Sequence, residues 1–592
     1  MFKKSNKKSK MPWQQKVAFL WSYVKPYKKM VIVLIIASVV AAFADAIAPF
    51  LFGKMTDTVL GADKLLGLSF WQLIVVWAGF SVIALLIDHI SAIYAVDVQT
   101  KVASDMTIDF CQHSINLPVA YHYNQKPGAV FKIIDRAANA THNIMDLVVS
   151  LFLPNILMVI IALVIMFWTN QLLASIVFIT IIIFFIVSLQ YKMNQIMENQ
   201  KQVNKKYNML FGNIGDMLAN IFSVKTNTTE KEEIKDKEKS FIKIIKLVWQ
   251  QMVYWAQHGI LQGLISRASY ILIIGLAVYL LAINQLTPGV LVMFVAYLAM
   301  VFRPVGILTH NLRWLRRLLV DLEDAARIKK KKEERDDPLA EAIDLQGNIE
   351  FKNVNFKYPE RDFGILKNIN FKIKAGQTLA IFGETGSGKT TAYNLILRLY
   401  EPDSGKILFD GIEAKKILQQ SLRSQIAVVP QDPSLFNESI LDNIKYGKQD
   451  AKMSEVIKAA KIADAHNFIK ALPKGYKTKV GERGVKLSGG QVQRIVIARA
   501  ALRDPKILIL DEATTSLDQK TKFEVLDALQ NLITNRTTII ITHDFSAITQ
   551  SADKIIVLED GKIVQQGRHK QLVKQKGIYR DLWQTQQKHL QI

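Results

Sequence analysis

The sequence predicts an all-α membrane bundle, six transmembrane helices with long cytosolic extensions, joined to a soluble α/β domain. Three observations carry this expectation. Almost every long apolar run of the 592 residues precedes Val320. Beyond that point short apolar stretches alternate with Gly, Pro, Asp and Lys, the pattern of strands and helices around a buried sheet. The length exceeds what one core supports, so a membrane half and a soluble half is the simplest division.

Crossing roughly 30 Å of hydrocarbon takes about 20 apolar residues in a helix. Six segments meet that length: Met30 to Phe52, Phe70 to Tyr94, Ile144 to Trp168, Leu172 to Leu189, Ile260 to Ala282 and Val290 to Leu308. Runs such as LLASIVFITIIIFFIVSL have no polar face to turn toward water, which argues against buried helices of a soluble protein.

Orientation follows from the cations. Met1 to Lys29 carries nine Lys and no acidic residue, so this segment, 1–29, is expected on the cytosolic side. The outward loop Gly53 to Ser69 balances Lys54 and Lys64 against Asp57 and Asp63, and the other two outward loops are short and uncharged. Both termini are then cytosolic. The first span is too long for the apolar region of a signal peptide and lacks a small-residue cleavage pattern, so it is expected to be retained. A Lys-rich start without the Arg- and Ser-rich pattern of organelle targeting points to a prokaryotic plasma membrane.

The inward connections, Val96 to Thr141 and Tyr191 to Gln257, are charged and helix-prone, so spans two to five are expected to run on into the cytosol. Each contains a Gly-bearing break, YHYNQKPGAV and FGNIGDMLANIFSV, where a helix can turn and present a short crosswise segment. Asp45, Asp88, His89, Asp97, Arg267 and Arg303 lie in or near spans. Intramembrane charges mark functional sites, whereas charges near an interface reach water by snorkelling; Asp45 is the residue to watch.

The net charge of +24 raises nucleic acid as a partner, but no basic stripe is interleaved with aromatics, and the lysines gather beside apolar spans. Membrane lipids are the expected partner and nucleic acid is not. The single cysteine, Cys111, can form no internal disulfide and has no second thiol for a metal site. Between Arg313 and Gln346 the pattern turns charged, which puts the end of the membrane domain (30–320) near 320 and a linker at 321–347. The run Lys329 to Lys332 suits anionic headgroups or a solvated linker face equally.

The soluble half (348–592) carries chemistry. After the strand-like TLAIF comes Gly383-Glu384-Thr385-Gly386-Ser387-Gly388-Lys389-Thr390, then an apolar helix pattern beginning at Thr391. Glycines let backbone N–H groups wrap phosphates, Lys389 reaches the β and γ oxygens, Thr390 offers a hydroxyl to Mg2+, and the helix start adds its positive dipole. ATP with Mg2+ is the cofactor pair this implies. Residues Lys506 to Leu510 read as a buried parallel strand ending in Asp511 and Glu512. Two adjacent acids can divide the work: Asp511 holds the metal through water, and Glu512 polarises the water attacking the γ-phosphate. A further strand, Thr538 to Thr542, ends in His543, placed to contact the γ-phosphate.

Between these elements sits Leu487-Ser488-Gly489-Gly490-Gln491, leading into VQRIVIARAAL, and this resembles the signature of ATP-binding cassette (ABC) proteins. The P-loop, Gln431 in VVPQDPSLF, the signature, Asp511 and Glu512, Ser516-Leu517-Asp518 and His543 follow in the family's order from Asn348 to Gln587. The resemblance implies that Gln431 serves metal and water, that Tyr358 in FKYP stacks on adenine, and that Ser488 to Gln491 and Asp518 complete a neighbouring site. The membrane half resembles the exporter branch through its span count, its extensions, its two breaks and RPVG from Arg303. In that branch the crosswise segments, here near 121–129 and 213–221, act as coupling helices, and GERG at Gly481 to Gly484 resembles the segment that meets them.

In this family the signature of one nucleotide domain closes on the P-loop of another, so a chain with one set implies a dimer with two composite ATP sites. Intact Glu512, His543 and signature favour a homodimer over pairing with a different subunit. The expected function is ATP-driven export or flipping of an amphipathic lipid, drug or peptide. The competing reading is an ATPase that gates a channel or regulates a membrane partner, which an intact catalytic acid disfavours. The chain begins a few dozen residues before the first span, which leaves no peptidase domain there and makes cleavage-coupled peptide export the less expected variant.

Overall fold

A computed structural model describes residues 11–590 except 63–64, 125–126, 360, 362, 482–483 and 514–518. Asp63, Lys64, the middle of GERG and Ser516-Leu517-Asp518 therefore lie outside the described residues. By contacts the chain divides into two compact units, Met1–Leu117 with Gln125–Lys332, and Pro118–Asn124 with Glu333–Ile592.

The first unit is helical: α1 (Trp13–Val24), α2 (Lys28–Val59), α3 (Phe70–Ile115), α5 (Pro127–Asp146), α6 (Leu153–Thr169), α7 (Gln171–Gln190), α8 (Met193–Ala219), α9 (Ile221–Thr226), α10 (Glu230–Ala282) and α11 (Pro288–Lys329). Helix α4 (Val119–Asn124) belongs to the second unit. Six helical segments among the described residues are long and apolar enough to cross a membrane. The extensions are as expected, since α3 runs for 46 residues and α10 for 53.

Local chemistry sets the helix starts. Ser69 caps α3 in a box with Gln72, whose Oε1 accepts from the Ser69 backbone N–H at 2.8 Å. Asn170 caps α7 through Leu173 N–H at 3.0 Å. Thr287 caps α11, whose first residue is Pro288, where the missing N–H costs nothing. At the same place Asp57, 1% exposed, accepts from Thr287 Oγ1 at 2.8 Å and Gly289 N–H at 2.7 Å, tying the end of α2 to the start of α11. A Cβ on Gly289 would stand 2.0 Å from the carbonyl oxygen of Gly53, so the two backbones touch there because both residues lack side chains. Deeper in the bundle the fully buried Tyr297 donates to Ala46 O at 2.7 Å.

Three boundaries differ from the sequence expectation. The first crosswise segment, expected near 121–129, is α4 over 119–124, with 125–126 outside the described residues and α5 beginning at Pro127. The second crosswise segment was expected at 213–221, but α8 continues to Ala219, and the short helix is α9, 221–226. An isolated helical glycine costs only about 1 kcal/mol, which the α8–α10 packing overrides, so Gly212 and Gly215 do not break the helix. The linker expected at 321–347 is helical through Lys329, and the second unit begins at Glu333.

The second unit holds two sheets. An antiparallel sheet has the order β2-β1-β4-β5, with β1 (Ile349–Phe356), β2 (Leu366–Ile373), β4 (Ser404–Phe409) and β5 (Ile412–Glu413). The larger sheet runs β10-β9-β3-β8-β7-β6, with β3 (Thr378–Gly383), β6 (Ile426–Val429), β7 (Ile507–Asp511), β8 (Thr537–Thr542), β9 (Lys554–Glu559) and β10 (Lys562–Gly567). Its pairs β9·β3, β3·β8, β8·β7 and β7·β6 are parallel. All residues of β7 and β8 are buried, as expected of a sheet covered on both faces. The covering helices that matter for the site are α12 (Lys389–Ile396), then, after α13 (Gln419–Ser424), α14 (Ile440–Lys445), α15 (Met453–Ile462) and α16 (His466–Ala471), the pair α17 (Gly489–Arg503) and α18 (Gln519–Ile533).

Candidate nucleotide site

In a parallel sheet the carboxyl ends of the strands face one crevice, and ligands bind there. Four adjacent strands deliver the expected residues to that edge. The P-loop follows β3, Gln431 follows β6, Asp511 ends β7 with Glu512 next to it, and His543 follows β8. Register aligns them: Phe382 pairs with Thr542, Asp511 with Ile541 and Val429 with Leu510.

Between β3 and α12 the loop needs its glycines. Gly386 and Gly388 have φ of +90° and +107°, and a Cβ on Gly388 would meet Leu366 Cδ2 at 2.6 Å. Lys389, 7% exposed, folds back so that Nζ donates to Gly383 O at 2.6 Å and Glu384 O at 3.1 Å. Burial pulls its ammonium below the ordinary lysine range, against the opposing pull of Glu512 and Asp511. Ser387 Oγ is buried with no hydrogen-bond partner, an orphaned hydroxyl that a phosphate oxygen would satisfy. Tyr358 sits beside the same helix, its hydroxyl sharing a hydrogen bond with Thr391 Oγ1 at 3.1 Å and its ring packed edge-on to Phe356 and Tyr400.

Glu512 is the best-held side chain at the crevice. Oε2 accepts from Gln431 Nε2 at 2.9 Å, and Oε1 lies 3.0 Å from His543 Nδ1. Its backbone is left-handed, φ +43°, and its N–H donates to Ile541 O at 2.9 Å. A non-glycine residue there stores on the order of 1–3 kcal/mol of strain, a cost that clusters at functional sites. Asp511 is buried behind it. Burial first, then the neighbouring Glu512 charge, push its carboxyl up to about 6, opposed by the Tyr393 hydroxyl and Lys389.

A buried carboxyl, Asp511, beside a phosphate cradle fits a divalent cation. Among the described residues no group of three or more His, Cys, Asp or Glu could hold a metal alone. The donor set at hand is a hydroxyl (Thr390), an amide (Gln431) and one carboxylate (Asp511), which suits Mg2+ sharing its shell with phosphates and water. The residues therefore fit both ATP and Mg2+.

The signature stands at the start of α17. Ser488 caps that helix in a box with Gln491, at 3.1 and 3.3 Å, and Ser488 and Gly489 are exposed. Gly490 is buried against α18, and a Cβ there would lie 1.9 Å from Thr521 Cγ2. The structure thus brings Gln431, Lys389, Asp511, Glu512 and His543 to one edge, with Tyr358 on the flank of α12 and Ser488 to Gln491 on a separate helix, while Asp518 is not described. Sequence reading missed Tyr393 on α12, whose hydroxyl opposes the upward push on the Asp511 carboxyl; only its position four residues after Lys389 could have signalled it.

Two family models match the chain: "ABC transporter transmembrane region" over residues 31–305 and "ABC transporter" over residues 366–515. The "Putative multidrug export ATP-binding/permease protein YgaD" of Bacillus subtilis (strain 168) is 31% identical over 575 residues, covering 95% of this chain and 98% of that protein. "Heavy metal tolerance factor 1" of Caenorhabditis elegans is 34% identical over 499 residues, 83% of this chain, and the chain spans only 61% of that relative's length. A solved structure, "Structure of a bacterial Atm1-family ABC exporter with ATP bound", matches with a TM-score of 0.82 at 30% identity over 94% of this chain and 98% of that one. The chain belongs to the ABC transporter family, as an exporter-type half-transporter that fuses six membrane helices to an ATPase domain.

Proposed function

We propose that the chain exports or flips an amphipathic substrate, a lipid, drug or peptide, across a membrane as a homodimer with two composite ATP sites. The observation that carries this reading is Glu512 held by Gln431 and His543 beside the P-loop. A carboxylate fixed on both oxygens can orient and polarise a water for in-line attack on the γ-phosphate. Lys389 neutralises charge on the transferring phosphoryl group once phosphate draws it from the two carbonyls it now meets. Mg2+, held by Thr390, Gln431 and Asp511, would supply further neutralisation of the phosphates. Tyr358 would stack on adenine.

This sequence carries one P-loop and one exposed signature start, so composite sites in which the signature of one chain closes on the P-loop of another would take a second copy. Pairing with a different subunit is the other arrangement, disfavoured because Glu512, His543 and the signature are all intact. Helix α4, which follows α3 in the chain, falls in the same compact unit as the ATPase core, which supports its reading as a coupling helix. The Lys-rich first 29 residues support cytosolic termini in a prokaryotic plasma membrane. The name of the Bacillus relative favours drugs among the three substrate classes.

The test is ATP-dependent flux. Full chain in lipid vesicles is given a panel of lipids, hydrophobic drugs and peptides, with Glu512→Gln in parallel. One class moving only with the wild type supports the reading. If no class moves while ATP turns over, a gating or regulatory role replaces it.

A further inference from the structure

Bounded by α2, α3, the π-helical turn Leu147–Phe152 and the start of α6, the first unit contains a cavity of about 400 Å³. Asp45 on α2 and Asp88 on α3 both line it. Asp45 lies 14 residues before Val59 (59 − 45) and Asp88 lies 18 residues after Phe70 (88 − 70). At roughly 1.5 Å per residue this is on the order of 21 and 27 Å along their helices, which keeps Asp45 inside a hydrocarbon core of roughly 30 Å and brings Asp88 near its inner boundary. Both side chains are exposed, and a carboxylate at the depth of Asp45 is expensive unless something compensates it. Among the described residues neither one has a side-chain hydrogen bond or ion pair, and Arg267 and Arg303, the cations of neighbouring spans, do not line the cavity.

The neutral groups around the cavity can also serve a cation. Ser38 Oγ spends its proton on Leu34 O at 2.8 Å, and the Asn155 amide donates to Leu151 O at 2.7 Å. Their oxygens remain as acceptors, and Ser91 and Ser150 add hydroxyls, the latter accepting from Gln99 Nε2 at 3.4 Å in the π-helical turn, a local geometry that recurs at functional sites. Anions are repelled, and a wholly apolar guest leaves both carboxylates unpaired. A bare metal ion fills about one water's share of volume, roughly 30 Å³, a small part of the space. The rest of the wall is apolar, including Leu34 and Met158, and the volume is that of a drug-sized pocket.

We propose that this cavity is a subsite for an organic cation with an apolar body, held by Asp45 and Asp88. Its use in transport rests on the export reading above; binding itself does not. The probe is tetraphenylphosphonium, with triphenylphosphine oxide as its neutral counterpart, titrated into full chain in nanodiscs and corrected against protein-free nanodiscs. Carrying out the titration in Glu512→Gln separates the two readings: binding without turnover in the wild type sinks only the pump, and turnover without binding sinks only the subsite. The cation should bind at least tenfold more weakly when Asp45→Asn/Asp88→Asn is added, while the neutral probe binds both proteins alike. In the unmutated chain the cation should also slow modification of Asp45 by a hydrophobic carbodiimide at least tenfold, a readout that does not depend on the variant folding. Cation affinity indifferent to the two substitutions, or a modification rate indifferent to the cation, overturns the proposal.

Discussion

Gly490→Ala tests why the signature needs its second glycine. The added Cβ would stand 1.9 Å from Thr521 Cγ2 and 3.3 Å from Thr521 Cβ. Reaching ordinary contact near 3.4 Å requires about 1.5 Å of relief, from a change of Thr521 rotamer or a parting of α17 from α18. Threonine is stiff at χ1, and overpacking of this kind costs about 1–3 kcal/mol. Alanine's better helix propensity returns at most about 1 kcal/mol, leaving a net loss of about 1–2 kcal/mol. For a domain of this size that lowers the melting temperature by about 2–8 °C, read by thermal denaturation of the full chain. Thr521→Ser keeps the hydroxyl and removes the colliding methyl, so Gly490→Ala/Thr521→Ser should melt like the wild type. If stability returns but ATP turnover does not, the glycine also serves the nucleotide. Gly490→Ala melting at the wild-type temperature would refute the packing argument.

Four further outcomes follow from the geometry. Because the Asp511 carboxyl titrates at about 6, a proton competes with Mg2+: apparent Mg2+ affinity in nucleotide titrations should be level above about pH 7 and fall about tenfold per unit below about 6, with Asp511→Asn flattening the curve. The same raised value makes the folded state hold that proton more tightly than the unfolded one, so this group's favourable contribution at low pH is lost as pH rises from about 4 to about 6. Asp336→Ala removes a 3.1 Å partner of Arg398, a guanidinium 4% exposed, and an acceptor for Gln419 N–H; the loss should be about 1–3 kcal/mol in chemical denaturation. In the membrane unit, Asp57→Ala strips two acceptor contacts from the start of α11 and should lower thermal stability in detergent by a similar amount, whereas Asp57→Asn, which retains one acceptor oxygen, should lose less.

The crevice was legible because its residues sit at strand ends. Buried runs such as KILIL announce themselves by composition, and whatever follows them lands at the carboxyl edge of a parallel sheet. The six spans were legible for the equally general reason that hydrocarbon demands length and apolarity. Contacts between elements far apart in sequence were not. Nothing local says that Tyr393 will reach Asp511, that Gly490 will meet Thr521, or that Asp57 will cap a helix 230 residues later. Glycine misled at 213–221, since packing carried α8 past Gly212 and Gly215. The π-helical turn at 147–152 has no sequence signal, yet it walls the cavity in which Asp45, already suspect on charge alone, is found.

The most direct test of the account is ATP hydrolysis by the full chain in lipid vesicles, wild type against Glu512→Gln, with ATP binding measured on both. Glutamine fills the same space without a base, so turnover should fall by about 10²-fold or more while ATP binding is retained. Equal turnover in the two proteins would contradict the assignment of Glu512 and, with it, the ATP-driven pump.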